Sequence, residues 1–114
     1  MRTIDRDRAR ARLEEERARL LEEIGEAITM PDQMTYGSQA AAATQVFEQE
    51  RELAMRERAN LHLVAVNGAL SRLDDGSYGT CVRCSRPIAA ERLEALPWAA
   101  HCIECQTIVD RDRR

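Results

Sequence analysis

Apolar positions along the chain fall into two long stretches with helical spacing, followed by a shorter segment with no such period. From residue 4 to 29, Leu13, Leu20, Leu21, Ile24, Ala27 and Ile28 recur at spacings that place them on one stripe of a single helix. Alanine, leucine, glutamate and arginine fill the remainder, all good helix formers, and no proline occurs before Pro31. Thr3 is the expected cap, with Asp5 in the first turn, where the helix dipole favours negative charge. The charges read as a solvated face, laced by the i,i+4 pairs Glu15–Arg19 and Arg19–Glu23.

A second helix is expected from about Gln39 to Leu73. In its lower half Leu63, Val66, Leu70 and Leu73 alternate at three and four residues, the spacing of a heptad seam. Ala59 and Arg56 extend the seam less well, and Asn60 and Asn67 flank it, where polar residues set register. His62 reads as ordinary surface. Between the helices, Met30 to Ser38 break the pattern, because Pro31 cannot continue a helix and Gly37 permits a positive φ. A short loop between two helices predicts an antiparallel hairpin. Its tip holds Asp32, Gln33, Met34, Thr35, Tyr36 and Ser38, candidate partner contacts on the end of a rigid scaffold. The turn Asp74 to Gly79 stops the second helix, with Gly76 suited to the C-cap and Gly79 leading into the cysteine-bearing segment.

Beyond the hairpin the chemistry is concentrated in Cys81, Cys84, Cys102 and Cys105, the four cysteines of the chain. They form two C-x-x-C pairs. Two intervening residues let a tight knuckle aim both sulfurs at one point, and two knuckles complete a tetrahedron around zinc with Zn–S bonds near ~2.3 Å. Two disulfides would require an oxidising compartment, and the start of the chain carries no apolar targeting region. A redox C-x-x-C belongs in a parallel α/β pattern, which is absent here. A closed set of four thiolates leaves no position for water or substrate, so one structural Zn²⁺ is expected. Arg83 and Arg86 stand where they could offset the charge of four thiolates. Trp98, Leu93, Leu96, Ile88 and Ile103 are expected to pack between the knuckles and the hairpin base, and His101 is not expected to replace a cysteine ligand. The finger is placed at 78–105 with a C-terminal helix at about 103–111 and a frayed tail.

Composition narrows the picture. Aromatic residues are 4% and charged residues 32% of 114, which is poor core material, and the net charge of −3 argues against general nucleic-acid binding. No apolar run reaches the ~18 residues of a membrane helix. A soluble, cytoplasmic protein that is not an enzyme is expected, since no base–nucleophile set, phosphate loop or open metal position is visible. The fold class is mainly α: a long antiparallel helical hairpin (residues 1–77) with a four-cysteine zinc finger and short C-terminal helix (78–114).

The run Leu73-Asp-Asp-Gly-Ser-Tyr-Gly-Thr-Cys81, then Cys84, Pro87-Ile88, Glu91-Arg-Leu-Glu-Ala-Leu-Pro97 and Cys102-Ile-Glu-Cys105, resembles the DksA/TraR family of four-cysteine zinc-finger transcription factors. The resemblance implies binding to RNA polymerase, with the coiled coil entering the secondary channel to modulate initiation, often with the alarmone ppGpp. Arg58 matches a family basic residue facing the polymerase rim. Three departures are visible. Ser38 and Ala41 stand where the family's tip has two aspartates. Ala65, Leu96 and Gln106 stand at positions that help bind ppGpp; none is basic, so ppGpp co-binding is not expected. Ser85 replaces the glycine usual after the second cysteine, which the finger tolerates if no positive φ is needed there. The alternative is a zinc-stapled coiled-coil module for another protein partner, or a weak nucleic-acid-binding finger; direct DNA binding is disfavoured by the interspersed acids.

Overall fold

A computed structural model describes residues 4–28 and 39–113, with side chains described for all of these except 26–28 and 39–42. Four helices are described: α1 (Arg6–Ile28), α2 (Gln39–Asp75), α3 (Ala90–Ala95) and α4 (Ile103–Asp112). The architecture is mainly helical, as the apolar spacing predicts. α1 and α2 pack against each other as the two arms of a hairpin. The expected tip residues Asp32, Gln33, Met34, Thr35, Tyr36 and Ser38 lie outside the described residues.

α1 begins at Arg6, and its cap is Asp5: the Arg8 N–H donates to Asp5 Oδ1 at 3.0 Å. Asp5 is therefore the N-cap and not a first-turn residue, because its short carboxylate reaches the third N–H of the helix. Leu13 and Leu20 are buried and Ile24 packs against them, but Leu21 is 48% exposed. Residues one apart on a helix diverge by about 100°, so Leu20 and Leu21 cannot share a face. Ala9, one turn before Leu13, is buried instead. Ala27 and Ile28 lie outside the described side chains.

α2 runs two residues beyond the expected end. Val66, Ala69 and Leu73 are buried, Leu63 and Leu70 pack half-buried against them, and Ala59 closes the row. Ala69 lets the backbones approach where Leu70 stays at the rim. Gly76 ends the helix at φ 84°, the left-handed C-cap conformation. Ser77 then folds back, its N–H and Oγ donating to Asp75 Oδ1 at 2.9 and 2.5 Å.

The core is continuous from hairpin to finger. One cluster joins Leu13, Val66 and Leu73 with Tyr78, Cys81, Ile88, Leu93 and Cys105. Gly79 sits at the junction with φ 90°, and a Cβ there would lie 2.8 Å from Ile4 Cδ1. The backbone angle is the reason for glycine here, since the Ile4 methyl at the far end of its side chain could move aside.

The charged face of α1 is not simply solvated. Arg10 Nη2 bonds Asp74 Oδ1 at 2.9 Å across the hairpin, and Arg12 Nη1 donates to the Glu94 carbonyl at 2.6 Å. Arg19 pairs with Glu16 and, at 3.2 Å, with Glu23. His62 departs from the surface reading as well. Its Nε2 lies 3.3 Å from Glu16 Oε1, and its ring meets Trp98 edge-on at 4.3 Å. It thus links α1, α2 and the finger.

Candidate metal centre

The first knuckle is built by a short return of the chain. Thr80 and Pro87 form an antiparallel bridge; Cys81 N–H donates to the Arg86 carbonyl at 2.8 Å and Ser85 N–H to the Cys81 carbonyl at 2.9 Å. Turning in so few residues requires a left-handed residue, and that residue is Ser85, at φ 64°. The condition on which serine would be neutral here is therefore not met. A left-handed L-residue costs about 1 kcal/mol relative to glycine. Ser85→Gly is expected to stabilise the zinc-loaded protein by about that amount in chemical denaturation, provided the angle is what matters; a loss of stability would show that the serine side chain outweighs the backbone.

The second knuckle uses a helix start. Cys102 is the N-cap of α4 and Cys105 lies in its first turn. Cys102 makes no side-chain capping bond, so its sulfur remains available as a ligand. Val82 N–H donates to the Ala100 carbonyl at 2.9 Å and ties the knuckles together. Between them, α3 buries Leu93, and Arg92 Nε donates to the His101 carbonyl at 3.1 Å. α3 is not among the elements that apolar spacing predicts. Glu91-Arg-Leu-Glu-Ala are good helix formers bounded by Pro87 and Pro97, but one and a half turns cannot show a period.

The structure brings all four cysteines together: their sulfurs lie within 4.8 Å of one another, with Cys81 and Cys105 buried and Cys84 and Cys102 half-buried. The Cys84–Cys102 sulfur separation is 3.8 Å. A disulfide would need about 2.05 Å. Zn–S bonds of ~2.3 Å give a tetrahedral edge of ~3.8 Å, so the set fits one zinc ion.

The surroundings favour charged sulfur at Cys81 and Cys84 and oppose it at Cys105. Burial opposes ionisation of Cys81, yet backbone N–H groups of Cys84, Cys102 and Arg83 hold its thiol down to about 5. The Arg86 backbone N–H, then its guanidinium, lower Cys84. Burial pushes Cys105 up to about 12 against the pull of Arg83, whose Nη1 sits 3.8 Å from its sulfur. Zn²⁺ overrides that cost, since a coordinating thiol is deprotonated outright. Arg83 and Arg86 thus both address the thiolate cluster, and Arg86 also bonds Glu104 at 3.1 Å.

The finger is fastened to the hairpin by residues that the sequence did not mark. Besides Arg12 to Glu94, Arg72 Nη2 approaches the Trp98 carbonyl at 3.4 Å; within the finger, Tyr78 Oη donates to the Pro97 carbonyl at 2.8 Å. Burial lowers the pKa of Arg72, opposed by the nearby Tyr78 and Asp75 side chains. Nothing in local sequence distinguishes Arg12 or Arg72 from other arginines of the helices. Ile88, Leu93, Leu96 and Trp98 pack as expected, but Ile103 is 66% exposed. It is the first residue of α4 and points away once Cys102 and Cys105 face the metal. Arg58 is exposed on α2, on a shallow groove of about 420 Å³ with Arg19, Arg51 and His62.

Comparison with known proteins bears directly on this centre. Residues 76–111 match the model of the prokaryotic dksA/traR C4-type zinc finger. The chain is 35% identical over 82 residues to the RNA polymerase-binding transcription factor DksA of Haemophilus influenzae, covering 71% of this chain and 57% of that one. It is 40% identical over 63 residues to the DksA of Caulobacter vibrioides, covering 55% and 44%. It thus spans about half the length of these curated relatives. The solved structure of transcription factor DksA2 from Pseudomonas aeruginosa superposes with a TM-score of 0.69 at 30% identity, covering 96% of this chain and 83% of that one. With the knuckle geometry, the matched finger and the shared fold in agreement, the chain belongs to the DksA/TraR family of four-cysteine zinc-finger proteins.

Proposed function

We propose that this protein is a transcription regulator that binds RNA polymerase in the cytoplasm, inserting its helical hairpin into the secondary channel to modulate initiation. The observation that carries the reading is the single buried core that joins the four-cysteine segment to the base of the packed α1 and α2; we take the hairpin as 1–77 and the finger as 78–114. At ~1.5 Å per residue, the 37 residues of α2 make an arm of roughly 55 Å. A reach of that size suits a deep channel on a large partner. The names of the Haemophilus and Caulobacter relatives, both RNA polymerase-binding factors, support the same partner.

In this reading Cys81, Cys84, Cys102 and Cys105 hold one structural zinc that stiffens the finger and does no chemistry. Arg58 faces the rim of the channel, and the tip residues Asp32, Gln33, Met34, Thr35, Tyr36 and Ser38 enter it. The protein acts by occupancy and has no catalytic residues. ppGpp is not required, because Ala65, Leu96 and Gln106 offer no cation; Gln106 Nε2 is engaged with Asp110 at 2.9 Å, and Leu96 packs against the core. No described helix is long and apolar enough to cross a membrane. A second reading, an interaction module for a different protein, is favoured by one observation: Ser38 and Ala41 replace the acidic tip pair.

The test is co-elution of the zinc-loaded protein with purified RNA polymerase, core and holoenzyme. A stoichiometric complex is expected. Removing residues 31–38 is expected to abolish effects on transcription while leaving binding largely intact. Absence of a complex with either form of polymerase would overturn the proposal in favour of the second reading.

A further inference from the structure

Where the hairpin meets the finger, one carboxylate serves two donors. Glu16 of α1 pairs with Arg19 through Oε1, and the same oxygen lies 3.3 Å from His62 Nε2 of α2. Glu16 and His62 are both half-buried. Arg19 and His62 line the groove that also holds Arg51 and Arg58, and the carboxylate among its lining residues is Glu23. On its other side His62 meets the Trp98 ring edge-on at 4.3 Å. Trp98 begins the short run into the second knuckle. Its carbonyl accepts from Arg72, and Arg92 holds the His101 carbonyl next to Cys102. A line of contacts thus runs Arg19, Glu16, His62, Trp98, from the groove toward the metal centre.

We propose that this line couples the groove to the zinc centre. An anionic group of a partner that draws Arg19 away leaves Glu16 to His62, and His62 then seats Trp98 and the second knuckle more firmly. Arg19 is the principal claimant on the shared oxygen. Its guanidinium, with a smaller contribution from His62, holds the Glu16 carboxyl below the usual carboxylate range against the effect of burial. The Arg19 side chain is 59% exposed, so a partner reaches it without disturbing the core. Glu16 thus has two arrangements, shared with Arg19 or given to His62, and a bistable element of this kind is what coupling between sites requires. The coupling is reciprocal. If an occupied groove tightens the hold on zinc, zinc loading favours occupation of the groove. Regulation of docking by the metal rests on the reading in which the Arg58 face meets RNA polymerase, whereas the relay belongs to the free chain and is tested there.

The experiment is zinc release from the free, zinc-loaded chain to excess chelator. The emission of Trp98, the one tryptophan of the chain, is the second readout. Arg19→Gln removes the competing donor and is expected to slow release several-fold and to shift the emission. Arg17→Gln removes the same charge from an exposed position of α1 and is expected to change neither. His62→Phe keeps a ring for Trp98 and removes the bond to Glu16; in that background Arg19→Gln is expected to have no effect. A His62→Gln background, which keeps a donor and removes the ring, is expected to give the same answer and covers a packing defect in the first. Release that Arg19→Gln leaves unchanged or speeds overturns the proposal. So does equal slowing by Arg17→Gln, or an Arg19 effect that survives both His62 variants. In complex with RNA polymerase, release is expected to slow in the wild type and not in Arg19→Gln; equal slowing in both would overturn the link to the groove. Absence of any complex would sink the polymerase reading alone, with the free-chain result unaffected.

Discussion

Cys84→Ser is expected to release zinc and unfold the finger, and to loosen the hairpin with it. Cys84 is only half-buried, so an isosteric exchange removes a ligand while changing packing little. The finger spans some thirty-five residues, too few to bury a self-sufficient core. Apparent zinc-binding energies of ~10–16 kcal/mol in small fingers are therefore folding energy. The remaining three sulfurs would leave the Arg83 and Arg86 guanidiniums facing a cluster without its full charge. The loss should not stay local. Tyr78, Cys81, Ile88, Leu93 and Cys105 belong to the same buried cluster as Leu13 and Val66, and Arg12 and Arg72 anchor α1 and α2 to finger carbonyls. Metal analysis should read well below one zinc per chain. Far-UV circular dichroism should lose more helix on warming than α3 and α4 contain. A variant that keeps one zinc per chain and the wild-type melting midpoint would show that Cys84 is not a ligand.

Leu13→Ala is expected to cost about 3 kcal/mol, within the range for a leucine with no accessible surface. Leu13 belongs to the same buried cluster as Val66 of α2, also fully buried, and the finger residues Ile88 and Leu93. Leu70, which the heptad spacing also marks, is half-buried and should cost less on the same exchange. The ordering of the two variants in urea unfolding of the zinc-loaded protein is the check. A Leu13 loss under ~0.5 kcal/mol, the range of ordinary surface substitutions, would contradict its place in the core.

Both experiments bear on how function would follow from fold. A two-helix hairpin has too narrow a seam to be rigid alone, since each helix buries only one stripe. Rigidity at the base comes from the finger, and the finger's rigidity comes from the metal. A metal-depleted protein should accordingly lose affinity for any partner that reads the hairpin as a stiff arm.

Much of this is legible in the chain. The C-x-x-C pairs point to the metal because ligand spacing within a knuckle is a local property: two residues between sulfurs set the turn wherever the knuckle sits. The helices are legible because their apolar spacing persists over many turns, and Pro31, Gly37 and Gly76 punctuate them. The family is legible because its marker residues cluster around the knuckles. Apolar type alone misleads where direction matters. Leu21 is as apolar as Leu20, yet adjacent residues on a helix point apart and only Leu20 is buried. Ile103 has the character of a core residue, yet the orientation of Cys102 and Cys105 toward one metal turns it outward. The positive φ of Ser85 is a consequence of the tight return to Pro87, which no single residue announces.

The union of finger and hairpin is of a different kind. It rests on Arg12 reaching Glu94, Ile4 lying against Gly79, and His62 bridging Glu16 and Trp98, contacts between residues far apart in the chain. Such pairs leave no periodic or spacing signal, and each residue by its type could as well be solvated surface. Short-range geometry, then, is enough to specify two helices, a closed four-thiolate site and a family. Which arginines are anchors, that Ile4 lies against Gly79, and that hairpin and finger share one core are decided by packing, because only packing brings distant residues within bonding distance.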